Sequence, residues 1–238
     1  MISHHKELLD IVRKKSEKPT QHTFLNSYLG NDHPRYPISM PVLRTIAKEW
    51  MKEHHDLSSK DFCALLTSLI QGESSTEKCF AGILMGYATM EQRRFDPKHF
   101  DLWLNYLEGW AEIDSLCTGR HLATDIPENW PSWKKVITQF SRSKMIGKRR
   151  ASLVLLCSPL SQVKDERLTE TALKNIDRLK SEKSVLITKA ISWLLRSMIK
   201  HYPAQVKEYL DNNRESLPKI AVREALMKLK TGKKTKRK

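Results

Sequence analysis

The chain has 238 residues, of which 39% are hydrophobic, and it carries 42 Lys and Arg against 27 Asp and Glu, for a net charge of +15. This length and apolar content suffice for a sizeable core and exclude a mostly disordered protein. The excess of positive charge indicates a polyanionic partner, although a solvated Lys-rich surface without a partner is an alternative interpretation.

The cysteines and histidines narrow the class of protein further. The four cysteines lie far apart beside apolar residues, which is typical of reduced core residues in a cytosolic protein. No His, Cys and acidic residues show the spacing of a zinc motif, so we predict no metal and no cofactor. No apolar run reaches the roughly 20 residues that cross a bilayer. We therefore expect a cytoplasmic protein without a membrane partner.

Taken in chain order, the sequence predicts helices throughout. There are 8 Gly, and Leu, Lys, Glu, Ala and Ile recur at spacings of three and four, which predicts an all-α fold. A first helix is predicted over 3–15, before a turn-rich segment at 30–37. Ser74 with Glu77 forms a capping box, and other Ser, Asp and Pro residues mark further helix starts. The later helices are predicted over 39–54, 58–72, 74–90, 96–108, 110–125, 127–140, 144–156, 164–180, 184–201, 204–213 and 216–230.

A charged residue recurs near the start of the second helix of each predicted helix pair. The residues in this column are Arg44, Lys78, Asp114, Arg150, Lys189 and Arg223, at intervals of 34, 36, 36, 39 and 34 residues. Such a period is typical of α-solenoids built from HEAT-like or TPR repeats. We predict one domain over 1–230, a superhelix of HEAT-like repeats with a concave cationic groove, followed by a basic, disordered tail over 231–238.

Asp114 is the one carboxylate in this column of cations. A cationic groove suits the phosphates of a nucleic acid duplex, where a carboxylate weakens binding unless it performs chemistry. Trp110 lies one turn earlier on the same helix face. An Asp can stabilise an oxocarbenium ion and orient a water, and the face of a Trp attracts cations, which together suit cleavage of an N-glycosidic bond. The alternatives are that Asp114 pairs with Lys78 or Arg150 and that Trp110 packs in the core.

The sequence resembles the AlkD-like DNA alkylation repair glycosylases, which are built of HEAT-like repeats. The matching motifs lie in order between about residues 22 and 230. They are Trp110-Ala-Glu-Ile-Asp114-Ser115, the helix start Arg150-Ala151-Ser152, and Lys189-Ala190-Ile191-Ser192-Trp193-Leu194-Leu195-Arg196. Tyr28 falls where the family places an aromatic residue.

The resemblance implies a monofunctional DNA glycosylase, a hydrolase that releases N3- or N7-alkylated purines from duplex DNA. It implies that Asp114 stabilises the sugar cation and positions water. It also implies that Trp110 and Trp193 line the cleft and that Arg150 contacts a DNA phosphate. The residues predicted to bind DNA are Tyr28, Arg44, Lys78, Arg150, Lys189, Arg196 and Arg223. We expect a monomer in the cytoplasm, associated with the nucleoid through DNA.

Two other functions fit the same composition. The first is a non-catalytic HEAT-repeat module that binds DNA structures or a protein partner, and the second is an RNA-binding scaffold, for which the chain offers no recognisable RNA module. Trp130 and Trp133 could form a second aromatic site, but Pro127 and Pro131 beside them favour packing between helices.

Overall fold

The computed structural model describes residues 1–16, 18 and 30–235, and the regular elements in these ranges are α-helices. The predicted all-α class is therefore confirmed. Contacts along the chain divide it into two compact units, unit 1 (Met1–His121) and unit 2 (Leu122–Lys238). The single domain over 1–230 stays a prediction.

Unit 1 is built from helices stacked in two layers. Helices α2, α4 and α6 pack in succession, while α1 packs on α3 and α3 packs on α4. The bounds are α1 Ser3–Lys14, α2 Met40–Glu53, α3 Ser59–Ile70, α4 Ser75–Met85, α5 His99–Trp103 and α6 Gly109–Cys117. Fully buried Phe62, Phe80, Phe100 and Trp103 fill the core between them. Each helix buries an apolar stripe against its neighbours, as expected of a helical repeat.

Unit 2 repeats this arrangement. Helices α9, α12 and α14 pack in succession, and α8, α11 and α13 each pack against one of them. The bounds are α7 Leu122–Glu128, α8 Trp130–Phe140, α9 Ile146–Val154, α10 Cys157–Gln162, α11 Glu166–Leu179, α12 Val185–Met198, α13 Pro203–Asn212 and α14 Lys219–Thr231. The second helices of the predicted pairs therefore lie side by side within each unit, which confirms a helical-repeat fold.

The predicted capping box is present at the start of α4. The Ser74 hydroxyl accepts from the Glu77 backbone N–H at 3.1 Å, and the Glu77 carboxylate accepts from the Ser74 N–H at 2.9 Å. The same carboxylate also contacts His5 on α1, with its Oε1 2.9 Å from Nε2 of the ring. Glu77 therefore both caps α4 and joins it to α1.

The predicted helix over 110–125 is wrong in its length. Helix α6 ends at Cys117, where the Thr118 hydroxyl donates to the Asp114 carbonyl at 2.6 Å, and α7 begins at Leu122. Pro127 lies inside α7, whereas we predicted that it starts the next helix. That helix, α8, begins at Trp130 with Pro131 in its first turn, where a missing N–H costs little.

Other features agree with the sequence expectations. Trp130 and Trp133 are both buried on α8, as their neighbouring prolines favoured. The cysteines are thiols, with Cys63, Cys117 and Cys157 buried and Cys79 partly buried.

None of the helices in the described ranges has the length and apolar character to cross a membrane.

Candidate functional site

The first turn of α6 places Trp110 and Asp114 on one face of the helix. Both side chains are partly buried, while Glu112 and Ile113 between them turn into the core. The chain enters the helix through Gly109, whose φ of 64° is a left-handed conformation that favours glycine. The helix geometry therefore puts the aromatic ring and the carboxylate at the surface of unit 1, as the four-residue spacing predicts.

Glu112 holds the start of α6 in place. Its side chain is fully buried, and Oε2 accepts from the Glu108 backbone N–H at 2.8 Å. Oε1 lies 2.9 Å from Nδ1 of His33 in the turn-rich segment. Neither residue was predicted from the sequence, because a buried carboxylate and a histidine 79 positions earlier form no local motif. Two sequence features could have identified them: Glu112 stands among apolar residues of the helix, and His33 stands among turn residues.

The turn-rich segment approaches α6 closely at a second point. Gly30 has φ 76°, and a Cβ built on it would lie 3.2 Å from the Gly109 Cα. Further along, the Pro34 carbonyl accepts from the Ser75 N–H at 2.9 Å, at the start of α4. The segment thus joins the starts of α4 and α6.

Helices α4 and α6 cross at a glycine. A Cβ added at Gly82 would lie 2.2 Å from the Ser115 carbonyl oxygen, so the backbones touch where a side chain would otherwise stand. The Ser115 hydroxyl donates to the Cys79 carbonyl at 2.7 Å, beside the same crossing. Because Ser115 follows Asp114 directly, this hydrogen bond fixes the position of the Asp114 backbone relative to α4.

Lys78, predicted to bind phosphate, points into the protein. It is 4% exposed, and its Nζ donates to the Ile70 carbonyl at the end of α3 at 2.9 Å. Burial lowers the pKa of Lys78, and the charge of Glu112 opposes that shift. The ammonium satisfies a helix-terminal carbonyl, and the predicted phosphate contact does not fit this burial.

Cys79 is not a nucleophile in this environment. Burial, reinforced by the charge of Glu112, raises the pKa of Cys79 to about 12. The thiolate, which is the reactive form, is therefore scarce at neutral pH.

In unit 2, Arg150 is also directed inward. It is 5% exposed, and Nη1 donates to the Leu186 carbonyl in the first turn of α12. The neighbouring Arg149 forms a bidentate ion pair with Glu182, at 2.7 and 3.0 Å. Arg150 thus links α9 to α12, and the predicted grip on phosphate does not fit its burial.

The Lys189 motif lies on α12. Lys189 is exposed and Trp193, one turn later, is partly buried. Arg196, predicted to bind DNA, stands with Nε 3.4 Å from the Glu224 carboxylate of α14. Arg223, next to that carboxylate in the sequence, is exposed. The two exposed residues of the predicted column in unit 2, Lys189 and Arg223, are therefore on neighbouring helices, α12 and α14.

The predicted DNA-binding residues therefore fall into four groups. Arg44 in unit 1 and Lys189 and Arg223 in unit 2 are exposed, Arg196 is partly buried, and Lys78 and Arg150 are buried. Tyr28 lies outside the described residues, as do Lys236, Arg237 and Lys238 of the predicted tail. Among the described residues, three side chains lie close enough together to hold a metal ion: His4 and Glu7 on α1, and His54 directly after α2.

Comparison with known proteins shows that this chain is similar to a described family and to a solved structure. The profile of a family described as DNA alkylation repair enzyme matches residues 13–229. Among solved structures, one described as a predicted DNA alkylation repair enzyme from Enterococcus faecalis superposes with a TM-score of 0.68. It is 18% identical, over 85% of this chain and 92% of that chain, a likeness that shows a shared fold. No curated protein matches the chain.

Proposed function

The chain belongs to the DNA alkylation repair enzyme family, which gives it a role in DNA repair, and we propose that it hydrolyses the N-glycosidic bond of N3- or N7-alkylated purines in duplex DNA. Alkylation at either nitrogen leaves the purine with a positive charge. Such a base departs as a neutral molecule when the bond to the sugar C1′ breaks and its electron pair passes to the base. A general acid is then unnecessary.

The carboxylate of Asp114 is the group that we assign to the transition state. As the base leaves, positive charge develops at C1′ of the sugar, and a fixed negative charge nearby stabilises it. The carboxylate also orients a water, whose oxygen bonds to C1′ and whose proton is lost to solvent. The products are the free base and an abasic site.

The observation that carries this proposal is the rigid support of a partly exposed carboxylate. Asp114 stands on a helix fixed by the Gly82 crossing, by Ser115 and by the buried Glu112–His33 contact. Electrostatic stabilisation depends on groups that need no rearrangement during the reaction. A carboxylate on a flexible surface helix would not meet that condition.

The exposed residues are assigned to the DNA. We assign Arg44, Lys189 and Arg223 to backbone phosphates, and Trp110 and Trp193 to the sugar and backbone beside the lesion. Arg150 and Lys78 would act indirectly, by holding α12 and α3 in place. We further propose that the protein acts as a monomer in the cytoplasm, associated with the nucleoid through DNA.

Release of 7-methylguanine and 3-methyladenine from methylated duplex DNA tests the reaction. Asp114→Asn removes the charge while keeping the shape, and we expect release to fall about a hundredfold, the usual effect of removing one preorganised electrostatic interaction. Asp211→Asn is the matched control, because Asp211 is an exposed carboxylate paired with Lys207 on α13. We expect that variant to retain full activity.

Two results would contradict the proposal. One is undiminished release by Asp114→Asn. The other is absence of release by the unmodified protein while salt-dependent DNA binding persists, which is the behaviour of a non-catalytic DNA-binding module. Circular dichroism of each variant separates loss of chemistry from loss of fold.

A further inference from the structure

Three potential metal ligands meet where α1 approaches the end of α2. His4 and Glu7 lie one turn apart on α1, and His54 directly follows the last residue of α2. One ligand atom from each of the three lies within 4.8 Å of the others. The side chains are 35%, 44% and 23% exposed, so ions in solution can reach them.

The distances suit a small tetrahedral ion. Oε2 of Glu7 lies 3.5 Å from His4 Nδ1 and 3.9 Å from His54 Nε2. A tetrahedral zinc ion with bonds of about 2.1 Å separates its ligand atoms by about 3.4 Å. Small rotations of the side chains would bring the three atoms to that spacing.

Trp50 orients two of the three ligands. Its indole N–H donates to Glu7 Oε1 at 2.8 Å, which turns Oε2 toward the histidines. Its backbone carbonyl lies 2.9 Å from His54 Nδ1, and the two rings stack with centroids 3.8 Å apart. A carbonyl can only accept, so the proton of a neutral His54 is on Nδ1 and the lone pair is on Nε2. Metal-binding histidines are commonly held this way through their second nitrogen.

The Glu7 carboxylate faces ring nitrogens of both histidines, with Oε2 3.5 Å from His4 Nδ1 and 3.9 Å from His54 Nε2. A cation placed between the carboxylate and the lone pair of His54 Nε2 would offset the repulsion between these two acceptors. Two imidazoles, one carboxylate and an open side toward solvent form a donor set that suits zinc.

We propose that His4, Glu7 and His54 bind one Zn²⁺ ion, with a water completing the tetrahedron. The bound ion would join α1 to the end of α2 and so stabilise the N-terminal part of unit 1. No metal was predicted from the sequence, because His54 is far from the other two residues along the chain and the three form no recognisable motif. The site lies on residues to which the proposed glycosylase reaction assigns no role, so either can fail without the other.

Calorimetric titration of the chelator-treated protein with zinc chloride tests the site. We expect one Zn²⁺ per chain, and at least tenfold weaker binding for His4→Asn, Glu7→Gln and His54→Asn. The matched control is His55→Asn, because His55 is an exposed histidine next in sequence whose Nδ1 contacts the Lys52 carbonyl. Zinc should raise the thermal midpoint of the wild type and of His55→Asn, and the three ligand variants should lose that rise.

Cobalt and a folding check complete the experiment. Co²⁺ should give the visible absorption bands of a tetrahedral complex in the wild type and lose them in Glu7→Gln, which keeps Oε1 as an acceptor for Trp50. Unfolding midpoints without metal identify any variant that is unstable for other reasons. Failure of the wild type to bind zinc, or equal binding by wild type and the His4→Asn/His54→Asn double variant, would overturn the proposal.

Discussion

Glu77 and Glu112 are buried carboxylates, and each meets a histidine from a distant part of unit 1. Glu77 contacts His5 of α1 and Glu112 contacts His33 of the turn-rich segment, both at 2.9 Å. A buried charge is costly unless hydrogen bonds and an opposite charge offset its desolvation. At the scale of single residues, these contacts specify where α1 and the turn-rich segment dock.

Replacing Glu77 with Gln should reveal a pH-dependent contribution to stability. Burial acts to raise the pKa of Glu77, but hydrogen bonds from His5 and Ser74 outweigh it, so the pKa is lowered overall. A carboxylate with a lowered folded pKa stabilises the protein above its unfolded pKa, about 4.3, and this stability is lost as the pH falls through the folded value. We expect Glu77→Gln to cost about 1–3 kcal/mol at pH 7.

Urea denaturation at pH 7 and at a series of acidic pH values measures this effect. The difference in the free energy of unfolding between wild type and Glu77→Gln should shrink as the pH falls. Glu208→Gln, at an exposed glutamate on α13, should leave the free energy of unfolding nearly unchanged. A difference that is constant with pH would show that shape, and not charge, matters at position 77.

The two inward-pointing cations show where sequence reasoning reaches its limit at this scale. The 34-to-39-residue spacing placed Lys78 and Arg150 on α4 and α9, the second helices that pack in succession within each unit. It could not show that Ile70 and Leu186 offer carbonyls within reach of those side chains. Helix periodicity determines which way a Cβ points, whereas the partner of a long side chain depends on packing.

At the scale of elements, the start of a helix was predicted best where the capping residues are neighbours in the sequence. Ser74 and Glu77 form a reciprocal cap at the start of α4, so four consecutive residues suffice to predict it. The break between α6 and α7 was missed because Asp114 and Thr118 are ordinary helix residues until the Thr118 hydroxyl bonds back to a carbonyl. The close crossing at Gly82 was missed for another reason, because it is a tertiary contact between α4 and α6.

A methyl group at that crossing should displace α6. In Gly82→Ala the new Cβ would lie 2.2 Å from a backbone oxygen that cannot rotate away. We expect a loss of about 1–3 kcal/mol in the free energy of unfolding, together with slower base release because Asp114 moves with the helix.

Gly86→Ala is the control for helix propensity. Gly86 ends α4 with right-handed backbone angles, and a Cβ there would meet the Ile83 carbonyl at 3.2 Å. That variant should change stability by less than about 1 kcal/mol. Equal effects of the two substitutions on stability and base release would contradict the importance of the crossing.

At the scale of the whole molecule, the net charge of +15 makes binding to a polyanion depend on salt. Arg44, Lys189 and Arg223 are the column residues assigned to phosphates. Arginine and lysine side chains that neutralise phosphates release counterions, so each neutralised phosphate adds to the slope of affinity against salt concentration. The charge and the repeat period were visible in the sequence, but the division into inward and outward cations was not.

Alanine at Lys189 or Arg223 should weaken duplex binding and reduce the slope of log K against log salt by about 0.9 for each phosphate that is no longer neutralised. Fluorescence anisotropy with unmodified duplex DNA over a range of salt concentrations measures the slope. The control is Lys207→Ala, at an exposed lysine of α13 that pairs with Asp211. Slopes that match the wild type in all three variants would assign the affinity to other cations, such as those of the C-terminal tail.

The close approach of Gly30 to Gly109 makes two distant positions mutually dependent. Both have positive φ, and a Cβ added at Gly30 would make a tight contact of 3.2 Å with the Gly109 Cα. A substitution at either position would strain its own backbone and also disturb the neighbouring His33–Glu112 contact. Substitutions in this turn should therefore act at a distance on the helix that carries Asp114, because the turn and the helix share the His33–Glu112 contact.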